Sequence, residues 1–489
     1  MLGAFFRYFK TGPDRPPFSS DPDAIDRAYT RKRWSVFLTI TFGYGLFYTT
    51  RLSLSVVKDP MMREGVFDPA QLGLIGSTLF FAYAIGKLVN GLLADRANIR
   101  KFMTLGLAAS AIVNLILGFS DLFWVFAVLW AVNGWFQSMG SAPSVVSITQ
   151  WFSHSERGTR YGIWSTSHSI GEAFSFISGG VIVTMLGWQS GLWLPGLLCL
   201  GGAFIMWRTH ADRPQTYGLP PVAEYRQDLP PGDKQDGQKT SVGQTQLEVF
   251  RNPWLWVLGL SSALLYVTRY AINGWALVFL TQMKGHSLIE AGLISSAAPI
   301  SGLIGSISSG FISDKLFGSR RNWPTLIFGL LQVSALLGLY LVPPGARWPA
   351  VLCLCVFGFA TGGLLVFLGG LTAVDIVPKR AAGAAMGVIG LFSYLGAGIQ
   401  EIISGQLIEN TGRQVSLASE VLAAHVVALS GRMLDAGQSL ARGEAAEVFF
   451  ACTASETTYT FDSAFFFWLA AGIMSLLLAC TTWKVKARE

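Results

Sequence analysis

The chain has 489 residues, of which 51% are apolar and only 13% charged, with a formal net charge of +7 and a mean hydropathy of +0.46. A soluble chain of this size carries far more charge, whereas Gly (54), Phe (34) and Trp (16) are abundant, as in packed membrane helices with interfacial aromatics. The Lys and Arg residues are scattered over short polar breaks instead of gathered on one segment, which excludes a nucleic-acid-binding stripe and points to membrane topology.

Residues 1–33 are polar and Pro-containing, with no cleavable signal pattern. The cluster Arg31-Lys32-Arg33 directly precedes the first apolar run and acts as an uncleaved signal anchor, so the N-terminus is expected in the cytoplasm. Apolar segments follow near 34–57, 71–94, 102–119, 122–145, 160–183, 190–208, 253–280, 289–313, 323–342, 348–374, 382–408 and 463–483. Most exceed the ~20 residues needed to cross a bilayer. They predict twelve spans, six in a half at 34–208 and six in a half at 253–489.

The break between the halves, 209–252, contains Pro214, Pro220, Pro221, Pro230 and Pro231 and reads as a flexible cytoplasmic linker. Short loops assigned to the cytoplasm hold Arg96, Arg100, Lys101, Arg157, Arg160, Lys315, Arg320, Arg321, Lys379 and Arg380. The outer ones hold only Lys58, Arg63, Lys284 and Arg347, so the positive-inside rule places both termini in the cytoplasm of a multi-pass protein of the plasma (inner) membrane. A polar stretch at about 410–462 should face outward, and its 416–434 portion has the apolar spacing of an amphipathic surface helix.

Two local patterns recur at one spacing. Phe47-Tyr48-Thr49-Thr50-Arg51 returns as Leu265-Tyr266-Val267-Thr268-Arg269, 218 residues later. Gly91-Leu92-Leu93-Ala94-Asp95-Arg96 returns as Gly310-Phe311-Ile312-Ser313-Asp314-Lys315, at an offset of 219. Each half therefore contributes one intramembrane arginine at an equivalent place. Arg51 lies ~25 Å along span one from Trp34 and Arg269 ~24 Å beyond Pro253 at 1.5 Å per residue, so their depths match. Charges this deep are functional by default, and an anion held between the halves is the candidate ligand. The alternative for each arginine, and for Lys58, is snorkelling to the outer interface.

Lys87 lies ~12 Å along its helix from Asp95, far for a lysine stem to reach the inner interface. His168 sits mid-span five with Glu172 one turn later, on a shared face. Glu172 is either a site residue or a partner that neutralises Lys87 or an arginine when the site is empty. Span eleven carries Gln400-Glu401, and Glu401 is its only charge. The five cysteines (Cys199, Cys353, Cys355, Cys452 and Cys480) form no disulfide or metal-spaced framework. The five histidines (His154, His168, His210, His286 and His425) show no metal-ligand spacing. Neither a catalytic constellation nor a phosphate-cradling Gly-rich loop appears, so an enzyme is not expected and no cofactor or metal is implied.

The doubled Gly-x-x-x-Asp-Arg/Lys pattern resembles the loop signature of the major facilitator superfamily. That resemblance implies an all-α membrane fold of twelve transmembrane helices in two pseudo-symmetric six-helix halves, with Asp95, Arg96, Asp314 and Lys315 gating the inner face. A narrower resemblance, to the organophosphate:inorganic phosphate antiporters, rests on residues in both halves. They are the two arginine motifs, Gly86-Lys87, Trp164-Ser165-Thr166-Ser167-His168-Ser169-Ile170-Gly171, Tyr270 with Trp275, Ser313-Asp314-Lys315-Leu316-Phe317 and Gly390-Leu391-Phe392-Ser393-Tyr394-Leu395-Gly396. The segment 212–220 is similar to the stretch after span six of the hexose-phosphate members.

By that resemblance Arg51 and Arg269 clamp a substrate phosphate, His168 helps to bind it, and Lys87 is a second anion-attracting charge. Tyr48, Tyr266, Tyr270, Trp164 and Trp275 line the sugar-facing wall or pack as ordinary core, and Glu401 bears on substrate choice; Glu172, read from its position alone, is counted with the gating residues. Two departures put that wall in doubt: Leu52 follows Arg51 where relatives often carry lysine, and Pro299 stands where they commonly have glutamate. The implied activity is import of a hexose phosphate, glucose 6-phosphate foremost, in exchange for inorganic phosphate by alternating access, with a monomer as the default. The alternative within the family is a sensor of external hexose phosphate that signals to a histidine kinase in the membrane.

Overall fold

The computed structural model describes residues 8–94, 96–227, 251–318, 321–372, 382–416 and 455–482. Asp95, the basic residues Arg320, Lys379 and Arg380, and the 417–454 stretch with nearly all of its expected surface helix lie outside them.

Helix ends follow local sequence. Helix α1 (Pro22–Arg63) starts with Asp21 accepting the Asp23 N–H and Pro22 at its first position. Helix α2 (Pro69–Ala94) is followed by α3 (Ile99–Leu117), where the Asn98 side chain accepts the Lys101 N–H. The expected fourth span is two helices, α4 (Phe123–Gln137) and α5 (Ser141–Trp151), interrupted at Ser138-Met139-Gly140. Helix α6 (His154–Leu186) turns at Gly187, with φ +82°, into α7 (Ser190–Thr209). In the second half come α8 (Val222–Arg226) in the connection, then α9 (Pro253–Gln282), α10 (Leu288–Phe311), α11 (Asn322–Leu341), α12 (Arg347–Val366), α13 (Ala382–Glu409) and α14 (Asp462–Thr481). Ser287 and Glu290 form a capping box at the start of α10.

Ten helices among the described residues are long and apolar enough to cross a bilayer. Helix α1 and the α4–α5 pair take the places of the first and fourth spans. Helix α1 is more polar because Thr49, Thr50, Arg51, Ser53, Ser55, Lys58 and Asp59 are all buried within it. Both halves use the same pairings. The first helix packs on the fifth and sixth (α1 on α6 and α7, α9 on α13 and α14), the second on the fourth (α2 on α4, α10 on α12), and the third on the sixth (α3 on α7, α11 on α14). Across the halves α2 meets α13, α6 meets α10 and α1 meets α9, which is again symmetric.

The halves touch closely on the side away from the chain ends. A Cβ at Gly73 would stand 2.4 Å from the Glu401 carbonyl, and one at Gly292 2.4 Å from that of Phe176, so glycine lets these backbones approach. Toward the terminal side, no described atom lies within 4 Å of a Cβ at Gly158 on α6 or Gly310 on α10.

Three expectations are corrected here. The start of the 209–252 linker is folded, not flexible. Asp212 caps α3 through the Ile99 N–H (3.2 Å) and the Asn98 side chain (3.0 Å), Trp151 donates to the Asp212 carbonyl (2.8 Å), and Tyr225 stacks on Tyr29 at 4.0 Å. The 1–33 segment lies along this clasp, with Phe18 N–H bonded to Gly218 (2.8 Å), Asn98 N–H to Phe9 (2.6 Å) and Arg213 paired with Asp14 (2.6 Å). Lys58, assigned to an outer loop, is 1% exposed inside α1. At the base of the 410–462 stretch, β1 (Arg413–Ser416) pairs antiparallel with β2 (Ser455–Thr458), so Ser416, where the amphipathic spacing begins, is in a strand.

Candidate anion-binding site

Arg51 is 3% exposed, and its Nε, Nη1 and Nη2 are all buried with no hydrogen-bond partner among the described residues. Its guanidinium lies between the rings of Tyr48 (4.6 Å) and Tyr83 (4.4 Å). Cation–π contact steadies the cation without using its N–H donors. A buried network pins the turn that carries it. Asn114 and Asn133 donate to the Thr50 carbonyl (3.3 and 3.0 Å), and Gln137 donates to the Phe47 carbonyl and the Thr50 hydroxyl, both at 2.9 Å.

The other half repeats this support. Gln332 donates to the hydroxyls of Thr268 (3.2 Å) and Thr361 (2.9 Å). Thr50 and Thr268, like Asn114 and Gln332, are separated by the same 218 residues as the two arginines. The polar network therefore belongs to the repeat.

Arg269 differs from Arg51 in having a partner: Glu172 accepts from its Nη2 at 2.9 Å, with both side chains buried. Tyr270 and Tyr266 lie 5.4 and 5.8 Å from the Arg269 guanidinium. His168, Glu172, Arg269, Asn273 and Pro299 line one cavity. Arg51, Leu52, Tyr270 and again Asn273 line an adjoining one. The His168 ring faces Tyr48 at 5.7 Å and its Nδ1 meets the Ser165 carbonyl. Lys87 is half-buried, with Nζ 5.2 Å from the ring centre of Tyr394. Tyr394 in turn packs 4.3 Å from Tyr83 and 5.5 Å from Tyr266.

The structure thus gathers Arg51, Arg269, His168, Tyr48, Tyr266 and Tyr270 around one region and sets Lys87 at its edge through Tyr394. Trp164 stacks on Tyr44 one layer behind Tyr48. Tyr83 and Asn273 escaped the sequence reading. Tyr83 lies one turn before Lys87, but a tyrosine in an apolar run reads as core until its neighbours are known.

Glu401 and Lys58 line the same cavity as Arg51 and Tyr270, with Trp275 beside them. Glu401 accepts from Lys58 Nζ at 2.7 Å, both nearly inaccessible, and Lys58 sits 3.7 Å from the Trp275 ring centre. This pair ties α1 to α13 on the far side of Arg51, with Gln282 to Asp59 (2.8 Å) tying α9 to α1 beyond it. Of the residues read as gating, Asp314 pairs with Arg321 (2.6 Å) while Lys315 is exposed. Arg96 is exposed too, and its carbonyl accepts the Thr11 N–H (3.2 Å).

Comparison with known proteins agrees with this architecture. The Major Facilitator Superfamily profile matches residues 40–400. The chain is 35% identical over 390 residues to a probable hexose phosphate transport protein of Chlamydia pneumoniae, covering 77% of this chain and 85% of that protein. It is also 35% identical over 394 residues to the membrane sensor protein UhpC of Salmonella typhimurium, covering 80% and 89%. Among solved structures, a bacterial homolog of the human lysosomal transporter Spinster, in an inward-facing and unoccupied conformation, matches with a TM-score of 0.69 at 19% identity over 94% of this chain and 99% of that one, a likeness of fold. With one profile over most of the length and relatives alike across both halves, this chain belongs to the major facilitator superfamily, in its organophosphate:inorganic phosphate antiporter family.

Proposed function

We propose that the protein imports a hexose phosphate, glucose 6-phosphate foremost, in exchange for inorganic phosphate, from a site between Arg51 and Arg269. The observation that carries this reading is the buried, unpartnered guanidinium of Arg51. A desolvated cation with no carboxylate partner among the described residues needs an anion, and a planar fork fits phosphate oxygens. Arg269 supplies the second arm once phosphate displaces Glu172, so Glu172 acts as the counter-ion of the empty site. Phosphate that bridges arginines from opposite halves favours the closed intermediate over either open one, which makes exchange obligatory.

In this reading the terminal side is the cytoplasm, both termini lie there, and the present arrangement is open to it. Lys58–Glu401 and Asp59–Gln282 close the outer side. The working unit is a monomer in the inner membrane, without catalytic chemistry, metal or cofactor.

A second reading, a sensor of external hexose phosphate partnered by a histidine kinase, is favoured by the equal likeness to UhpC. One experiment separates them: protein in liposomes loaded with inorganic phosphate, with uptake of labelled glucose 6-phosphate followed against empty liposomes. Uptake that requires internal phosphate establishes antiport. Absence of uptake by folded protein that still binds the sugar phosphate sinks the carrier and leaves the sensor.

A further inference from the structure

The N-terminal segment closes over the start of α3 and the residues after α7, and together they enclose a cleft of about 340 Å³ on the terminal face. Arg15, Arg100 and Lys101 line it, with Trp207 and Tyr217. The Arg100 guanidinium sits over Trp207 at 4.6 Å, and its Nε is buried with no hydrogen-bond partner among the described residues. Lys32 joins from α1, with Nζ 3.9 Å from the centre of the Tyr217 ring.

The acid lining this cleft, Asp212, already accepts from the Ile99 N–H (3.2 Å) and the Asn98 side chain (3.0 Å). Asp14 at the rim is held by Arg213 at 2.6 Å. Among the described residues, cations are therefore in excess of uncommitted carboxylates, and they meet beside the N-terminal end of α3. On α7, Phe204, 60% exposed, lies about one turn before Trp207, a residue type that favours the headgroup level.

We propose that this cleft is a phosphate-ester site distinct from the central one, and that it holds the headgroup of an anionic phospholipid whose chains lie along Phe204. Basic pockets beside transmembrane helices recognise such headgroups through charge and N–H donors. The Arg100 Nε, with the Arg15 charge, faces the phosphate, while Lys101 is partly committed to the Tyr8 carbonyl at 2.9 Å.

The test uses the full chain carrying Arg51→Gln, so that the central arginine does not contribute, with retained lipid counted by native mass spectrometry. The parent should retain phosphatidylglycerol in preference to phosphatidylcholine, and Arg100→Gln should retain about fivefold less of it, the effect of one surface charge. Arg100→Lys should restore retention. Arg15→Gln serves as a second variant, since Arg15 is exposed and its loss leaves the clasp bonds in place. Equal retention of both lipids by the parent overturns the proposal, as does phosphatidylglycerol retention unchanged in both Gln variants. Arg100-dependent binding of inorganic phosphate or glycerol 3-phosphate, with no preference for phosphatidylglycerol, overturns the lipid source and assigns the cleft to a soluble phosphate.

Discussion

Arg51 and Arg269 are equivalent in sequence and unequal in surroundings. Arg51 has the rings of Tyr48 and Tyr83 against it and no ion-pair partner among the described residues, whereas Arg269 carries Glu172. Arg51→Gln should lose two charge-assisted hydrogen bonds to phosphate, about 3 kcal/mol at roughly 1.5 each, or a fall in affinity of about 150-fold. Arg51→Lys should fall between, because it keeps the charge and loses the fork. Calorimetric titration with inorganic phosphate measures both, and unchanged affinity in Arg51→Gln removes Arg51 from the site. Glu172→Gln removes the internal competitor, so phosphate should bind more tightly, by about tenfold for a displaced ion pair worth roughly 1.4 kcal/mol. Weaker binding would make Glu172 a positioning group for Arg269 instead of its counter-ion.

At the scale of elements, the Lys58–Glu401 pair joins α1 to α13 where solvent does not reach. Glu401→Leu strands a buried ammonium and Lys58→Met a buried carboxylate, and each should destabilise the protein by about 3–5 kcal/mol, while the double variant Lys58→Met/Glu401→Leu should cost less than either single change. Thermal unfolding of the four proteins gives the cycle, and additive losses would show that the two charges do not interact. The clasp that packs the post-α7 segment onto α3 has its own pH signature. His210 is buried, and burial with Arg100 nearby pushes its pKa down to about 3. The unfolded chain takes up the proton near pH 6.5 and the folded one does not, so stability should fall as pH drops below about 6.5, by up to about 1.4 kcal/mol per unit. Asp212 acts in the opposite sense: burial raises its pKa, so the stability linked to it is present at low pH and lost as pH rises through the raised value. The histidine acts alone from pH 6.5 downward until Asp212 takes up its proton, and His210→Asn should flatten the fall in unfolding temperature over that stretch.

For the whole molecule, the proposed alternating access predicts that Gly158 on α6 and Gly310 on α10, where an added Cβ would meet no neighbour, change their exposure with ligand. Gly158→Cys or Gly310→Cys, in a background without the native cysteines, should react readily with a membrane-impermeant maleimide applied from the terminal side. Saturating sugar phosphate should slow that reaction if the ligand draws the halves toward the closed intermediate. Labelling that ignores ligand at both positions would count against a rocking motion tied to the central site.

The sequence by itself determined the membrane class, the two halves and the two arginines, because apolar run length, loop charge and a repeat at 218 residues are all local signals. It also contained the Thr50/Thr268 and Asn114/Gln332 correspondence, which acquires meaning only when those side chains are seen to support the arginine turns. Contacts between residues distant in the chain were decided by the tertiary structure alone. Glu172 chose Arg269 over Lys87, Glu401 went to Lys58, and Tyr83 came to cover Arg51, each through helix packing that brings together residues 97, 343 and 32 positions apart. The folded state of the linker has the same origin: Pro and polar residues read locally as loop, yet Asp212 caps a helix more than a hundred residues earlier, and only the packed terminal face places that helix end within its reach.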